Sequence, residues 1–300
     1  MTTDLFPGFE SHWVSTEAGR IFARSGGSGP PLVLLHGFPQ THAMWHRIAP
    51  ALAATHRVVC LDLRGYGWSS APAGDDAHET YSKRAMGRDV VRVMEELGHA
   101  RFALAGHDRG ARVGYRLALD EPGRVERLAL LDIVPTVSNW QRIRAGFPAP
   151  HWTFLAKPKP EPETEIARDP LLYFEGLMAE WTAGGTLDAF HPAALAAYRQ
   201  SCNEPSRIHA FCEDYRAGAT LDVAQDEADL AAGRTVACPV LVLSGAAYLS
   251  RGGAPEAPVD VWRRTFAPQA EGHVIAGSGH FIAEEAPEAT LAALQAFLTP

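Results

Sequence analysis

Residues 102–113 read FALAGHDRGARV, an apolar run that turns into a helical pattern around Asp108. A central residue flanked by Gly106 and Gly110, between a strand and a helix, is the pattern of a nucleophile elbow. Here an aspartate stands where serine is usual. The glycines matter because side chains at their positions would clash in so sharp a turn. The stretch therefore predicts a strand, a strained turn that presents Asp108, and a helix.

Strand-length apolar runs recur along the chain with helical patterns between them, which predicts a mostly parallel sheet covered by helices. Residues 12–15 and 21–25 flank a turn at Ala18-Gly19 and predict an antiparallel hairpin ahead of that sheet. The other predicted strands are residues 32–35, 57–61, 102–106, 125–133, 240–244 and 273–276. The predicted helices are residues 42–54, 83–97, 110–119, 259–265 and 287–298.

The strand pattern stops between about Pro135 and Arg234, where helical segments are broken by the run KPKPEP at residues 157–162. Strand signal resumes at Cys238-Pro239. A helical stretch between two strands of one sheet is better interpreted as an insertion than as a second independent domain. We therefore predict a core domain of residues 1–134 and 235–300, with a helical cap domain of residues 135–234 inserted after the sixth strand.

An aspartate nucleophile needs a base, and His280 in GSGHF (residues 277–281) follows the last predicted strand. The base needs a carboxylate to orient it, but residues 245–254 contain none. Asp132 is a lone charge in the apolar run LLDI, where it needs a partner, and is the predicted orienting acid. Glu256 and Asp260 are the alternatives.

The loop HGFP, residues 36–39, directly follows a predicted strand. Its backbone N–H groups could share an oxyanion hole with the amide that follows the nucleophile. The predicted donors are the amides of Phe38 and Arg109.

Composition excludes several classes of protein. The 300 residues are 46% hydrophobic and 21% charged, as in a globular chain. Lys+Arg 27 against Asp+Glu 35, with no basic run, argues against a nucleic-acid partner. The 4 Cys are widely spaced, as expected for reduced thiols and not for a zinc site. The start, MTTDLFP, lacks the features of a leader, and no apolar stretch approaches the ~18 residues of a membrane span, so we expect a cytoplasmic protein without membrane association.

The sequence resembles the fluoroacetate dehalogenases, members of the α/β-hydrolase superfamily, over nearly the whole chain. Haloalkane dehalogenases and soluble epoxide hydrolases also use an aspartate nucleophile, but they resemble each other in having tryptophan after it, where this chain has Arg109. The resemblance implies an α/β-hydrolase fold. The stretches that carry it are HGFPQTH at 36–42, GYGWS at 65–69, GHDRGARV at 106–113, HW at 151–152 and CEDYRAG at 212–218.

The resemblance also implies roles for single residues, and for two arginines the chemistry agrees, because a pair of guanidinium forks suits a carboxylate. Asp108 would be the nucleophile, with His280 as the water-activating base and Asp132 as its partner. Arg109 and Arg112 would hold the substrate carboxylate. The leaving halide would be surrounded by residues of the cap that can donate hydrogen bonds: His151, Trp152 and Tyr215. Trp181 would be a further aromatic residue near the pocket.

The implied activity is hydrolytic dehalogenation of a short 2-haloacid through an aspartyl ester, in a homodimer that needs no metal or organic cofactor. Two alternatives stay open. An epoxide hydrolase could use the same nucleophile if Tyr173, Tyr198 or Tyr215 protonated the epoxide oxygen. A hydrolase-fold binding protein could retain a ligand without turnover. Residues 245–258 match no family pattern, which leaves the size of the acid and the preferred halogen open.

Overall fold

The computed structural model of the protein describes residues 4–249 and 256–299. Residues 1–3, for which no leader is expected, and residues 250–255, from the loop of uncertain role, lie outside the described residues, as does residue 300. No helix of the described part is both long and apolar enough to cross a bilayer.

The described residues form an eight-stranded sheet in the order β1-β2-β4-β3-β5-β6-β7-β8. The first pairings, β1 with β2 and β2 with β4, are antiparallel, and the others are parallel. The predicted hairpin and mostly parallel sheet are therefore confirmed. The strands are β1 (Glu10–Thr16), β2 (Gly19–Gly26), β3 (Pro31–Leu35), β4 (Arg57–Leu61), β5 (Phe102–His107), β6 (Val125–Leu131), β7 (Val240–Gly245) and β8 (Glu271–Ile275).

Helices cover the sheet, and two short 3-10 helices, His42–Trp45 and Glu79–Tyr81, lie in connections. The helices before the seventh strand are α1 (Ala49–Leu52), α2 (Lys83–Glu96), α3 (Asp108–Asp120), α4 (Thr136–Arg144), α5 (Pro150–Leu155), α6 (Glu161–Ile166), α7 (Pro170–Trp181), α8 (Pro192–Cys202), α9 (Pro205–Ala219) and α10 (Leu221–Ala231). After it come α11 (Pro258–Arg264), α12 (Ile282–Glu285) and α13 (Pro287–Leu298).

Two predicted elements differ from the structure. The helix predicted over 42–54 is a 3-10 turn followed by the separate helix α1, because Pro50 has no N–H to continue a helix from the preceding turn. The strand predicted over 125–133 ends at Leu131, because Asp132 has a φ of 53°, in the left-handed region that a strand does not use.

Helices α4 to α10 all lie between β6 and β7, which places the helical insertion after the sixth strand, as predicted. The division into a core domain and a cap domain at residues 134–135 and 234–235 stays a prediction. Buried polar contacts join the inserted helices to the rest of the chain. In one, the Tyr198 hydroxyl of α8 donates to the Glu284 carboxyl of α12 at 3.1 Å. In another, Arg116 of α3 pairs with Asp229 of α10.

Glu284 makes stability depend on pH. Its side chain is buried, and burial raises the pKa of its carboxyl from 4.5 to about 8. Between those values the folded protein holds a proton that the unfolded chain has lost. Stability therefore falls as pH rises through this window, by up to about 1.4 kcal/mol for each pH unit.

Replacing Glu284→Gln removes this titration while keeping a side chain of the same shape. The amide of the new glutamine could donate to Gln40 Oε1, which has no hydrogen-bond partner in the described structure. We expect the variant to lose less stability than the wild type between pH 5 and pH 8, measured by urea unfolding. The exposed Glu288→Gln serves as the control. Parallel pH profiles for wild type and Glu284→Gln would contradict a buried neutral acid.

Candidate active site

Asp108 stands on a strained turn between β5 and α3. Its φ is 44°, which side chains rarely adopt but which aspartate tolerates better than most residues. A Cβ at Gly106 would lie 2.6 Å from the Ala111 nitrogen, and one at Gly110 would lie 2.4 Å from the His36 carbonyl oxygen. Both glycines are therefore required by close backbone approach, in the geometry of a nucleophile elbow.

The structure brings Asp108, His280 and Asp132 together. His280 Nδ1 lies 2.6 Å from Asp132 Oδ2, and its Nε2 lies 4.0 Å from Asp108 Oδ2. The second oxygen of Asp132 accepts the Gly245 N–H at 2.9 Å. A base held between an acid and a candidate nucleophile is the arrangement of a catalytic triad.

The alternative acids do not reach His280. Glu256 pairs with Arg264 at 2.9 Å, and Asp260 pairs with Arg263 at 3.1 Å. Both acids belong to the region around α11 and contact neighbouring arginines there.

The loop after β3 approaches the nucleophile closely. The Phe38 N–H donates to Asp108 Oδ1 at 3.0 Å. A Cβ at Gly37 would lie 2.5 Å from the Asp108 Cβ, so only glycine allows this approach. The Arg109 N–H lies in the first turn of α3, where N–H groups have no partner within the helix. The two predicted oxyanion-hole amides thus flank Asp108.

Charges around Asp108 keep it ionised. Burial alone would raise the pKa of its carboxyl, but His280, Arg109 and Arg112 outweigh burial and hold that pKa well below its usual range. His151 is different, because burial lowers the pKa of its imidazole to about 3. At neutral pH the site therefore contains a carboxylate beside a neutral His151, which can donate one hydrogen bond.

The two predicted carboxylate-binding arginines have different surroundings. Arg112 borders the cavity at Asp108, and its Nη1 donates to the Val134 carbonyl and the Thr136 hydroxyl at 3.0 and 3.1 Å. It forms no ion pair within the described residues. Burial and the neighbouring Arg109 lower the pKa of its guanidinium, an effect that an incoming carboxylate would offset.

Arg109 has a carboxylate partner already. Its Nε donates to Asp214 Oδ1 at 2.9 Å, and its side chain is fully buried. The guanidinium carbon lies 4.3 Å from the centre of the Tyr215 ring and 5.3 Å from that of Trp152. Arg109 therefore lies behind the aromatic wall and is not among the residues that line the cavity.

The predicted halide-binding residues border the same cavity, which has a volume of about 420 Å³. The ring centres of Trp152 and Tyr215 are 5.5 Å apart, and those of His151 and Tyr215 are 6.0 Å apart. Trp181 packs against His151 at 4.5 Å and borders the cavity too. The Trp152 Nε1–H and the Tyr215 hydroxyl have no hydrogen-bond partner among the described residues, so both donors are available to a ligand.

The structure adds Tyr248, which sequence reasoning missed. Its ring lies 4.4 Å from that of His280, and it borders the cavity. The sequence signal for Tyr248 is an aromatic residue just after β7, at the carboxyl end of a parallel strand. Of the tyrosines considered for epoxide opening, Tyr173 and Tyr198 lie outside the cavity lining, whereas Tyr215 belongs to it.

Two further features bound the site. A larger cavity of about 820 Å³, lined in part by Trp13, Trp68 and His42, contains none of the predicted site residues. Within residues 4–249 and 256–299, no group of three or more His, Cys, Asp or Glu side chains is arranged to hold a metal ion.

Comparison with known proteins agrees with this geometry. Residues 30–287 match the family model described as the alpha/beta hydrolase fold. A solved structure from Nostoc sp PCC 7120, assigned to the alpha/beta hydrolases, shares 46% identity at a TM-score of 0.89 and covers 97% of this chain and 98% of its own. The chain belongs to the α/β-hydrolase family.

Within that family, the chain is 45% identical to a fluoroacetate dehalogenase from Burkholderia sp, over 98% of this chain and 95% of that protein. The predicted resemblance to the fluoroacetate dehalogenases is therefore confirmed. A soluble epoxide hydrolase from Corynebacterium sp. (strain C12) is 30% identical over 99% of this chain and 96% of its own length.

Proposed function

We propose that this protein hydrolyses a short 2-haloacid, such as fluoroacetate, to a 2-hydroxy acid and a halide ion. The observation that carries the proposal is that one cavity is bordered both by an ionised Asp108 and by Arg112, a buried cation that lacks a carboxylate partner within the described residues. A substrate with a carboxylate and a carbon open to displacement fits both groups. The 45% identity to a fluoroacetate dehalogenase supports the same choice.

The first step is displacement at carbon. Asp108 Oδ2 attacks C2 of the haloacid, the carbon–halogen bond breaks, and an ester joins the substrate to the enzyme. Arg112 binds the carboxylate, and the positive charge of Arg109 lies close behind. His151, Trp152 and Tyr215 donate hydrogen bonds to the departing halide, which takes up the negative charge that Asp108 gives up.

The second step hydrolyses the ester. His280 takes a proton from water, and the hydroxide attacks the ester carbonyl carbon, so the bond from C2 to oxygen stays intact. The amides of Phe38 and Arg109 stabilise the oxyanion, while Asp132 stabilises the protonated imidazole. The intermediate then collapses to the Asp108 carboxylic acid and the 2-hydroxy acid, whose oxygen takes the proton from His280. Asp108 releases the remaining proton of the water to solvent and returns to the carboxylate. Side chains and water complete both steps, so the proposal includes no cofactor.

Epoxide hydrolysis is the second candidate. Tyr215 and Tyr248 both border the cavity and could protonate an epoxide oxygen. The 30% identity to a soluble epoxide hydrolase favours the same alternative. A neutral epoxide has no carboxylate for the Arg112 guanidinium to bind. Arg112 therefore favours the haloacid over the epoxide as substrate. A homodimer remains a prediction from the family resemblance, and a cytoplasmic location remains a prediction from the sequence pattern.

Replacing His280→Asn tests the nucleophile and the base together. Displacement should still occur, but the ester should persist because nothing activates water. We expect one equivalent of halide per active site, followed by a mass increase on the peptide that contains Asp108. The exposed His273→Asn is the matched control and should turn over normally. Continued turnover by His280→Asn would contradict the role of the base, and an aryl epoxide that is hydrolysed while fluoroacetate is not would support the second candidate.

Replacing Arg112→Met tests carboxylate recognition. A charged hydrogen bond contributes about 1.5–3 kcal/mol, so KM for haloacetate should rise roughly 10- to 150-fold. The neutral haloacetamide should be little affected, and comparison of kcat/KM for acid and amide is the measurement. Equal losses for both substrates would mean that Arg112 does not bind the carboxylate.

Replacing Trp152→Phe tests the halide site, because fluoride depends on hydrogen-bond donors more than chloride does. Loss of the indole donor should raise the activation free energy for fluoroacetate by about 1.5–3 kcal/mol and so lower its kcat. The decrease in kcat should be smaller for chloroacetate. Trp140→Phe is the control, because the Trp140 Nε1–H already donates to the Gly218 carbonyl at 2.9 Å and Trp140 does not line the cavity. Its ring packs against that of Trp152. An unchanged fluoroacetate-to-chloroacetate ratio in Trp152→Phe would assign Trp152 to packing alone.

A further inference from the structure

The cavity at Asp108 is larger than the smallest 2-haloacids require. A haloacetate has five atoms other than hydrogen, and even at the ~30 Å³ that one water molecule occupies in the liquid, these would fill only roughly 150 Å³. The cavity measures about 420 Å³. More than half of it therefore remains once the reacting atoms are in place.

The cavity has a buried reacting end and partly exposed residues elsewhere in its lining. Asp108 and Arg112 are only 6% and 3% exposed, so the reacting end is deep. Phe147 and Leu177 are partly exposed and Pro148 is exposed, as is the acid Glu180, so these residues lie toward the opening. Leu249 is buried farther inside.

These apolar residues come from separate parts of the chain. Phe147 and Pro148 precede α5, Leu177 lies on α7, and Leu249 follows β7. Apolar side chains from three segments that line one cavity form a surface that an apolar ligand would remove from water.

We propose that the preferred substrate is a 2-haloacid with an unbranched apolar chain of several carbons on C2. The chain lies against Phe147, Leu177 and Leu249, while the carboxylate and halogen occupy the deep end. This inference rests on the proposed dehalogenation and names its substrate class. Chemically the reaction is unchanged: the C2–halogen bond breaks, halide leaves, and the Asp108 oxygen that bonds to C2 becomes the product hydroxyl oxygen. Water replaces that oxygen on Asp108 and supplies both the hydroxyl proton and the proton released to solvent.

The positions of Asp108, Arg112 and the apolar surface also select one enantiomer of the 2-haloacid. Asp108 must approach C2 opposite the halogen, Arg112 fixes the carboxylate, and the remaining two positions on C2 hold hydrogen and the chain. Only one configuration directs the chain to the opening. Because C2 is displaced once and the ester is then cleaved at its carbonyl, the product has the inverted configuration.

The test compares 2-chloropropanoate, 2-chlorobutanoate and 2-chlorohexanoate, in which the reacting carbon is always secondary. Halide release should show kcat/KM rising up to about 4-fold for each added methylene, the fold-change that corresponds to about 0.8 kcal/mol for a buried CH₂. Racemic 2-chlorohexanoate should release half of its chloride rapidly, and chiral chromatography should show inverted product. A decline in kcat/KM along the series, or equal consumption of both enantiomers, would overturn the proposal.

Variants of α7 locate the apolar surface that binds the chain. Leu177→Ala should lower the ratio of kcat/KM for 2-chlorohexanoate to that for 2-chloropropanoate, by about 4-fold for each substrate methylene that the shorter side chain leaves in water. Leu172→Ala is the matched control on the same helix, because Leu172 is 73% exposed and does not line the cavity. An unchanged ratio in Leu177→Ala would remove Leu177 from the binding surface. Leu249→Ala provides the same measurement if Leu177→Ala does not fold.

The outcomes separate the two proposals. If no 2-haloacid releases halide, the proposed dehalogenation fails. If chloroacetate and 2-chloropropanoate react but longer acids do not, only the longer-chain substrate class fails.

Discussion

One buried carboxylate, Asp214 of α9, holds the inserted helices against the catalytic part of the chain. It pairs with Lys83 of α2 and Arg109 of α3, and it accepts the Tyr66 hydroxyl at 2.9 Å. All of these partners lie outside the insertion. Removing one member of such a buried pair costs about 3–5 kcal/mol, because the other charge is left without a partner. The pairing also places the next residue, Tyr215, on the wall of the cavity.

Asp214 also explains why two neighbouring arginines of α3 differ. Asp214 takes the hydrogen bonds of Arg109, whereas Arg112 donates only to a carbonyl and a hydroxyl within the described structure. His280 and both arginines hold Asp108 ionised, while of the two arginines only Arg112 borders the space where a substrate carboxylate would bind. In the proposed displacement the number of negative charges stays constant. One charge moves from Asp108 toward neutral donors on the insertion, and this explains why those donors border the same cavity as the nucleophile.

The sequence alone predicted the parts of the site that depend on local pattern. Asp108 follows from the flanking glycines, and Asp132 follows from one charge in an apolar strand. The contact of Tyr248 with His280 could not be predicted, because it depends on how two loops meet after β7 and β8. The pairing of Arg109 with Asp214 joins residues 105 positions apart, and no local pattern relates them. The break in the predicted helix 42–54 is encoded by Pro50, whose missing N–H outweighs the apolar spacing that favours one continuous helix.

Asp108 and Asp132 share a backbone constraint that relates the elbow to the triad. Both follow parallel strands of the sheet, and both have positive φ, at 44° and 53°. Such a conformation costs on the order of 1–3 kcal/mol, and it persists where surrounding contacts determine it. At Asp108 the Phe38 N–H binds the carboxylate, and at Asp132 the Gly245 N–H does the same. Each strained turn sends its carboxylate past the end of the sheet, where His280 lies between the two. Aspartate satisfies both demands at each position, because it tolerates the left-handed region and its carboxylate accepts the backbone donor that offsets the strain.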